Sequence, residues 1–213
     1  MSNNIRITVC VPIYGRPQRT QRLIRLLEHQ TINNFEVLLV GDNCPQFAQY
    51  LESKEWEELV QREIQKGNEW YGVNFPFHYG GWGYAARNWM AYVAQGQYLI
   101  FIDNDDFVYH NHLAHYLSEI EGTNLDFVFY DSYLYQQDKV LNVQLQPSKI
   151  GHSDIIIKTD FFRTLSPQDN NYGQDWRMIQ QMMRKTRFYK KAKSDMCTYN
   201  IMSSDHGREQ GID

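Results

Sequence analysis

Asp103, Asp105 and Asp106 fall within four residues of "YLIFIDNDDFVYH" (98–110), directly after an apolar run. Along extended backbone, residues two apart point to the same side, so Asp103 and Asp105 can present their carboxylates together. Two such charges raise each other's pKa unless a cation lies between them. Hard oxygen donors with no cysteine nearby suit Mg2+ or Mn2+ rather than zinc. Phe107 and Val108 argue against a calcium loop, because they stand where an EF-hand needs a ligand and a turn glycine. The competing reading is a strand-ending turn, since Asp and Asn hydrogen-bond local backbone readily.

Two further groups could do chemistry. Arg87, in "ARN", follows the glycine-rich "GGWG" into a predicted helix. Such a helix start offers backbone N–H groups and a positive dipole end to a phosphate. Neither G-x-x-x-x-G-K-[ST] nor G-x-G-x-x-G is present, and a solvated helix arginine is the competing reading. Asp175, in "GQDW", leads another predicted helix, where an acid also simply satisfies the dipole. His110, His112 and His115 cluster in "YHNHLAHY", but a zinc site needs three or four converging ligands, and two of these sit three apart on a predicted surface helix. The aromatic run Trp70, Tyr71, Phe75, Phe77, Tyr79 and Trp82 is either an acceptor platform or a cap over the core.

The elements that must hold these residues follow from hydrophobic periodicity. "IRITVCVPIY" alternates as a first strand, and "RPQRTQRLIRLLEHQT" has Pro17 early and leucines at helical spacing. "FEVLLVGDN" is a near-continuous apolar run, as in a buried parallel strand. "PQFAQYLESKEWEELVQREI" reads as one helix. Strand, helix, strand, helix implies right-handed crossovers and a parallel sheet. "NEWYGVNFPFHYGGWG" interrupts the pattern, then helix resumes at "YAARNWMAYVAQ" and "QYLIFI" is the next buried strand. Beyond it come a helix at "HLAHYLSEIE", strand-like "LDFVFYDSYLY", "KVLNVQLQ" and "SDIIIKTDFF", a helix through "DWRMIQQMMRK" and a last strand near "MCTYNIM". The second half is more mixed than the first. In parallel α/β sheets ligands bind at the carboxyl ends of strands, so "PIYGRP", "GDNC" and "DNDD" would converge on one crevice.

The chain has 213 residues, 42% hydrophobic and 22% charged, with a formal net charge of −4. That length suits one domain, and the charge offers no basic field for nucleic acid. Three cysteines share no metal-ligand spacing, and their odd number argues against a disulfide framework. No membrane span and no signal peptide are visible, so the expected location is cytoplasmic. Ending at Asp213, the chain also suits one module of a larger polypeptide.

Taken together, "VCVPIYGRP", "EVLLVGDNC", "GYAARNWMAYVAQGQYLIFIDNDD" and "YGQDWRM" resemble nucleotide-sugar glycosyltransferases of the GT-A fold, especially the family 2 group. The resemblance covers residues 5–110 nearly continuously and resumes over about 150–185. It implies a Rossmann-like, mostly parallel α/β sheet flanked by helices, with a mixed acceptor-side region. Residues 1–213 would form a single catalytic domain, with 1–106 binding the nucleotide sugar and 107–213 the acceptor. Pro12, Ile13 and Tyr14 would line the nucleoside pocket, with Arg16 and Asn104 also on the donor side. Asp42 would approach the base or ribose, although family members often carry two acids in this loop and the first is Gly41 here. Arg87 would contact the diphosphate.

In the same resemblance Asp103 and Asp105 form the D-x-D motif for Mn2+ or Mg2+, with Asp105 the direct ligand and Asp103 nearer the ribose. His206 would join the metal shell from the C-terminal tail. Asp175 matches the catalytic base of inverting members. His152 and Trp176 would face the acceptor or its sugar, Trp176 alternatively being core. The expected partners are a nucleoside diphosphate sugar, UDP-linked, and a glycan or glycoconjugate acceptor. A retaining glycosyltransferase, a sugar nucleotidyltransferase and a non-catalytic nucleotide- or carbohydrate-binding module are the alternatives; for the second, "PIYGRPQR" holds only one glycine where a basic, glycine-rich loop is the rule.

Overall fold

In the computed structural model, residues 5–134, 138–192 and 197–200 are described. Ile7, Val9, Val11 and Ile13 alternate with Thr8, Cys10 and Pro12 along strand β1 (Ile7–Ile13). The odd-numbered set enters one hydrophobic core and Cys10 the opposite one, the period-2 consequence of a strand buried on both faces. Helix α1 (Pro17–Glu28) then packs Leu23, Ile24 and Leu27 into the first core. Strand β2 (Phe35–Gly41) pairs parallel to β1 in the register Ile7 with Phe35 through Ile13 with Gly41.

The next helical stretch divides in two, α2 (Pro45–Leu51) and α3 (Lys54–Lys66), where one helix was expected. Ser53 causes the break: its Oγ accepts the Trp56 N–H at 3.2 Å and caps α3, with Glu55 and Glu57 at the positive end of the helix. Gly67, in the left-handed region at φ 88°, closes it. Strand β3 (Glu69–Asn74) follows, parallel to β2. The expectation of an interruption there fails because β3 is an edge strand: Trp70 is buried while Tyr71 and Val73 face solvent, so no continuous apolar run marks it.

A 3-10 turn (Gly81–Gly83) leads into α4 (Tyr84–Val93), and β4 (Tyr98–Phe101) pairs parallel to the other side of β1. After α5 (His112–Ile120) the expected long strand splits at Tyr130 into β5 (Phe127–Phe129) and β6 (Asp131–Leu134). Strand β7 (Lys139–Leu141) precedes a 3-10 turn (His152–Asp154), strand β8 (Ile155–Lys158) and the short α6 (Thr159–Phe162). Helix α7 (Gln174–Lys185) and strands β9 (Tyr189–Lys191) and β10 (Cys197–Asn200) complete the order.

The central sheet runs β3-β2-β1-β4-β8-β5-β9, and only β8 opposes the others in direction. A smaller sheet, β10-β6-β7, realises the mixed second half. Helices α1, α3 and α5 cover one face of the central sheet, and α4 and α7 the other. The order reverses between β1 and β4, since the chain first builds outward through β2 and β3 and then returns. That reversal opens a crevice at the carboxyl ends of β1 and β4, where "PIYGRP" and "DNDD" lie.

Candidate functional site

At the end of β1 the three expected nucleoside-pocket residues diverge. Ile13 is 1% exposed and packs in the first core. Pro12 is buried beside Gly83, where φ is +79° and an added Cβ would lie 3.0 Å from the proline Cβ, a tight contact. Tyr14 alone presents its ring outward, stacking on His78 with centroids 4.8 Å apart. Asp42, at the end of β2, is buried and accepts the N–H groups of Tyr79 (2.7 Å) and Gly80 (2.9 Å). His78 Nδ1 lies 3.0 Å from the same carboxylate. Asp42 thus holds the 78–80 loop and, with it, the Tyr14–His78 stack.

Gly15 and Arg16 both take left-handed backbone, at φ 61° and 54°, turning the chain so that the Arg16 guanidinium folds back onto Asp105. Arg19 and Arg22 follow at three-residue intervals on the same face of α1. Arg19 Nη1 is 3.7 Å from Asp105 Oδ2, and Arg22 donates to the Asp105 carbonyl at 3.2 Å. Arg22 also lies over the Phe107 ring at 5.9 Å. Neither Arg19 nor Arg22 was singled out from the sequence, although their spacing was visible there. Burial raises the Asp105 carboxyl above its ordinary range, Asp103 adds to the rise, and Arg16 and Arg19 oppose it.

Asn104 departs from the donor-side expectation. Its amide is 5% exposed and donates to Gly15 O at 3.2 Å and Thr20 Oγ1 at 2.9 Å. It therefore ties the acidic turn to the β1–α1 loop and offers that amide to the fold. Asp106 is buried too, accepting from Ser153 Oγ at 2.6 Å and the Asp103 N–H at 3.1 Å. Burial pushes the Asp106 carboxyl well up, and Asp103 pushes the same way. It supports the turn, while Asp103 remains half-exposed.

Arg87, 5% exposed on α4, joins the two sides of the site. Its Nη2 meets Asp103 Oδ1 at 2.5 Å, and its Nη1 donates to the Trp82 carbonyl. Gln174 Nε2 reaches the neighbouring Gly81 carbonyl at 3.1 Å, so the start of α7 docks on the same loop. Asp175 follows, and His152 Nδ1 lies 2.8 Å from its Oδ1. Burial alone would raise the Asp175 carboxyl, but the facing His152 ring and its hydrogen bond, with help from Arg87, hold it down at about 2. His152 does not face an acceptor: its side chain is 3% exposed and sits edge-on to Phe101, beneath the carboxylate. Trp176 is half-buried and packs against the second core.

Hard donors for a cation are the carboxylates of Asp103 and Asp105. Arg87 takes Oδ1 of Asp103, while its Oδ2 accepts no hydrogen bond among the described residues. Mg2+ and Mn2+ sites commonly combine one or two carboxylates with waters and substrate phosphates, and this pair fits that pattern once Arg16 yields Asp105. Among the described residues no group of three His, Cys, Asp or Glu side chains could hold a metal by itself. His206 lies outside the described residues. In the histidine cluster His112 is buried and packs on Tyr116 with rings tilted and centroids 4.3 Å apart, and desolvation lowers its pKa to about 3. No helix among the described residues is long and apolar enough to cross a membrane.

A protein of Rickettsia bellii described as an "Uncharacterized glycosyltransferase" is 29% identical over 123 residues, 57% of this chain and 16% of its own length. The chain spans between 16% and 39% of the length of the curated relatives it matches. Among solved structures, S. aureus TarS 1–349 in complex with UDP-GlcNAc aligns with a TM-score of 0.71 at 16% identity, over 97% of this chain and 61% of that one. The mannosyltransferase PcManGT from Pyrobaculum calidifontis, in complex with GDP-Man and Mn2+, aligns at 0.67 with 16% identity, over 94% and 58%. These likenesses establish the α/β GT-A fold. The family model for glycosyl transferase family 2 matches residues 8–202, and the chain belongs to that family.

Proposed function

We propose that this domain transfers a sugar from a UDP-linked donor to a hydroxyl of a glycan or glycoconjugate acceptor, with inversion at the anomeric carbon. The observation that carries the reading is the convergence of Asp103, Asp105, Arg87 and Asp175 around the crevice between β1 and β4. A carboxylate pair, a buried guanidinium and a separate ionised carboxylate are groups that such a displacement uses. Likeness to proteins solved with UDP-GlcNAc and with GDP-Man supports a nucleoside diphosphate sugar as the donor class.

In this reading the Tyr14–His78 stack receives the base, and Asp42 keeps the loop carrying His78 in place. Arg87, already aligned by Asp103 and the Trp82 carbonyl, meets the diphosphate. Asp103 and Asp105 would hold Mg2+ or Mn2+, which when bound neutralises charge on the departing diphosphate. The acceptor oxygen forms its bond to the anomeric carbon as the bond to the phosphate oxygen breaks. The electron pair leaves with UDP, and the hydroxyl proton passes to Asp175. His152 and Arg87 keep Asp175 ionised at physiological pH, so it is unprotonated before the acceptor reacts.

A thermal-shift panel of UDP-GlcNAc, UDP-Glc, UDP-Gal and GDP-Man, each with and without Mn2+, tests the donor side. A ligand at 100 times its dissociation constant stabilises the folded state by about 2.7 kcal/mol. Wild type should show a metal-dependent shift with a UDP-sugar and Asp105→Ala should lose it. An undiminished metal-dependent shift in Asp105→Ala would overturn the assignment.

A further inference from the structure

Residues 152–154 form a single 3-10 turn whose successive side chains each reach a different element of the site. His152 reaches Asp175 at the start of α7, and Ser153 reaches Asp106 behind the acidic turn. Asp154 accepts from Ser132 on β6 and from the Gly151 N–H at 2.7 Å. The turn is anchored from below as well, because Tyr116 donates its hydroxyl hydrogen to the Ser153 carbonyl at 2.9 Å. It is therefore rigid and bridges the candidate cation turn and the candidate base.

The His152 ring is placed in an unusual way. It is 4% exposed, its Nδ1 points at Asp175 Oδ1, and its Nε2 is buried with no hydrogen-bond partner among the described residues. A ring nitrogen 2.8 Å from a carboxylate oxygen must carry its hydrogen there, so a neutral ring here is the Nδ1–H tautomer, and the imidazolium, whose charge helps lower Asp175, keeps the same Nδ1–H bond.

We propose that His152 is a positioning residue for the reaction: its Nδ1–H fixes one oxygen of Asp175, leaving the other free to take the acceptor proton. This rests on the reading of Asp175 as the base. The charged and titratable groups facing Asp175 are His152 on this turn and Arg87 on α4, with Asp154 close by across Gly151. Of these, His152 alone hydrogen-bonds the carboxylate. Removing its N–H leaves the Asp175 backbone N–H to hold the carboxylate and raises its affinity for protons.

The test is UDP release from the UDP-sugar that gives the largest thermal shift, with water as acceptor, across pH 4–9. His152→Phe keeps most of the ring's bulk and loses the donor; His152→Asn keeps a neutral N–H near the Nδ1 position. We expect kcat to fall at least tenfold in His152→Phe with the donor KM within twofold, and an acid limb, which at about 2 lies below this range in the wild type, to rise into it. His152→Asn should restore most of kcat. Independently of turnover, 15N spectra of the wild type should show His152 as the Nδ1–H tautomer, and Asp175→Asn should relax that preference.

Unchanged kcat and acid limb in His152→Phe, while Asp175→Asn is inactive, sink the positioning role alone. Turnover near wild type in Asp175→Asn sinks the base reading and the inference with it. If His152→Phe does not fold, the Asn variant and the tautomer decide: loss of kcat in His152→Asn, or an Nε2–H ring in the wild type, overturns the proposal.

Discussion

At the amino-terminal edge of the central sheet, Glu36 is 1% exposed and accepts from Thr8 Oγ1 at 2.6 Å and the Gln95 N–H at 2.9 Å. At the carboxyl-terminal edge, Asp103 is 46% exposed on its side chain, and Arg87 satisfies only one of its oxygens. Both ends perturb carboxyls. Burial raises Glu36, against its hydrogen bonds to Gln95 and Thr8, and burial likewise raises Asp105. A shifted carboxyl alone thus separates nothing. What differs is that the Glu36 bonds come from neutral groups and leave it buried, whereas Asp103, Asp105 and Asp175 pair with Arg87, Arg16 and His152, and Asp103 and Asp175 stay 46% and 41% exposed.

Arg87→Ala should widen that contrast most. It removes the guanidinium that meets Asp103 and the Trp82 carbonyl, and with it the group proposed for the diphosphate. Loss of one preoriented charge-stabilising donor typically costs about 10²–10³-fold in turnover. UDP release should fall by that order, while urea unfolding shows a folded protein. Activity within threefold of wild type would place the diphosphate elsewhere.

Gly83→Ala should act less strongly and through geometry. At φ +79° an alanine is strained, and its Cβ would lie 3.0 Å from Pro12 Cβ and 3.2 Å from Arg87 Nη1. The backbone strain costs about 1–3 kcal/mol, measurable by urea unfolding, and displaced Arg87 should raise the donor KM. A variant as stable as wild type with an unaltered KM would mean that Arg87 does not depend on this turn.

The smallest effect belongs to the other edge. Glu36→Gln keeps an oxygen to accept from Thr8 and Gln95, so UDP release should equal wild type. Because the folded Glu36 carboxyl sits above its unfolded value, ionising it costs folding free energy as pH rises from about 4. The glutamine variant should therefore lose that slope, gaining or losing no more than about 1 kcal/mol at pH 7. A large drop in turnover would refute the inertness of this edge.

Much of the fold could be read from periodicity. Ile7, Val9, Val11 and Ile13 announce β1, and the apolar runs of β2 and β4 announce buried parallel strands. Edge strand β3 escaped because half its side chains face water, and the α2–α3 break escaped because Ser53 interrupts a continuous amphipathic pattern without a proline or glycine. The split of β5 from β6 was hidden because the strand-like sequence runs on through Tyr130, while only the sheet each joins distinguishes them.

The candidate site divides along the same line. Asp103, Asp105, Arg87 and Asp175 stand out by residue type and by their places at strand and helix ends, which are local properties of the chain. Whether Asp106 faces water or Ser153, whether Asn104 meets a ligand or Gly15, and what lies beneath Asp175 depend on partners 47, 89 and 23 residues away. Local spacing carries no information about such pairings. His152 shows it most plainly: alone it is a loop histidine, and only the docking of α7 against the turn before β8 sets its Nδ1 against a carboxylate. Backbone periodicity and end residues are written within a few positions of one another, whereas the hydrogen-bond partner of a buried polar group is chosen by the packing of the whole domain.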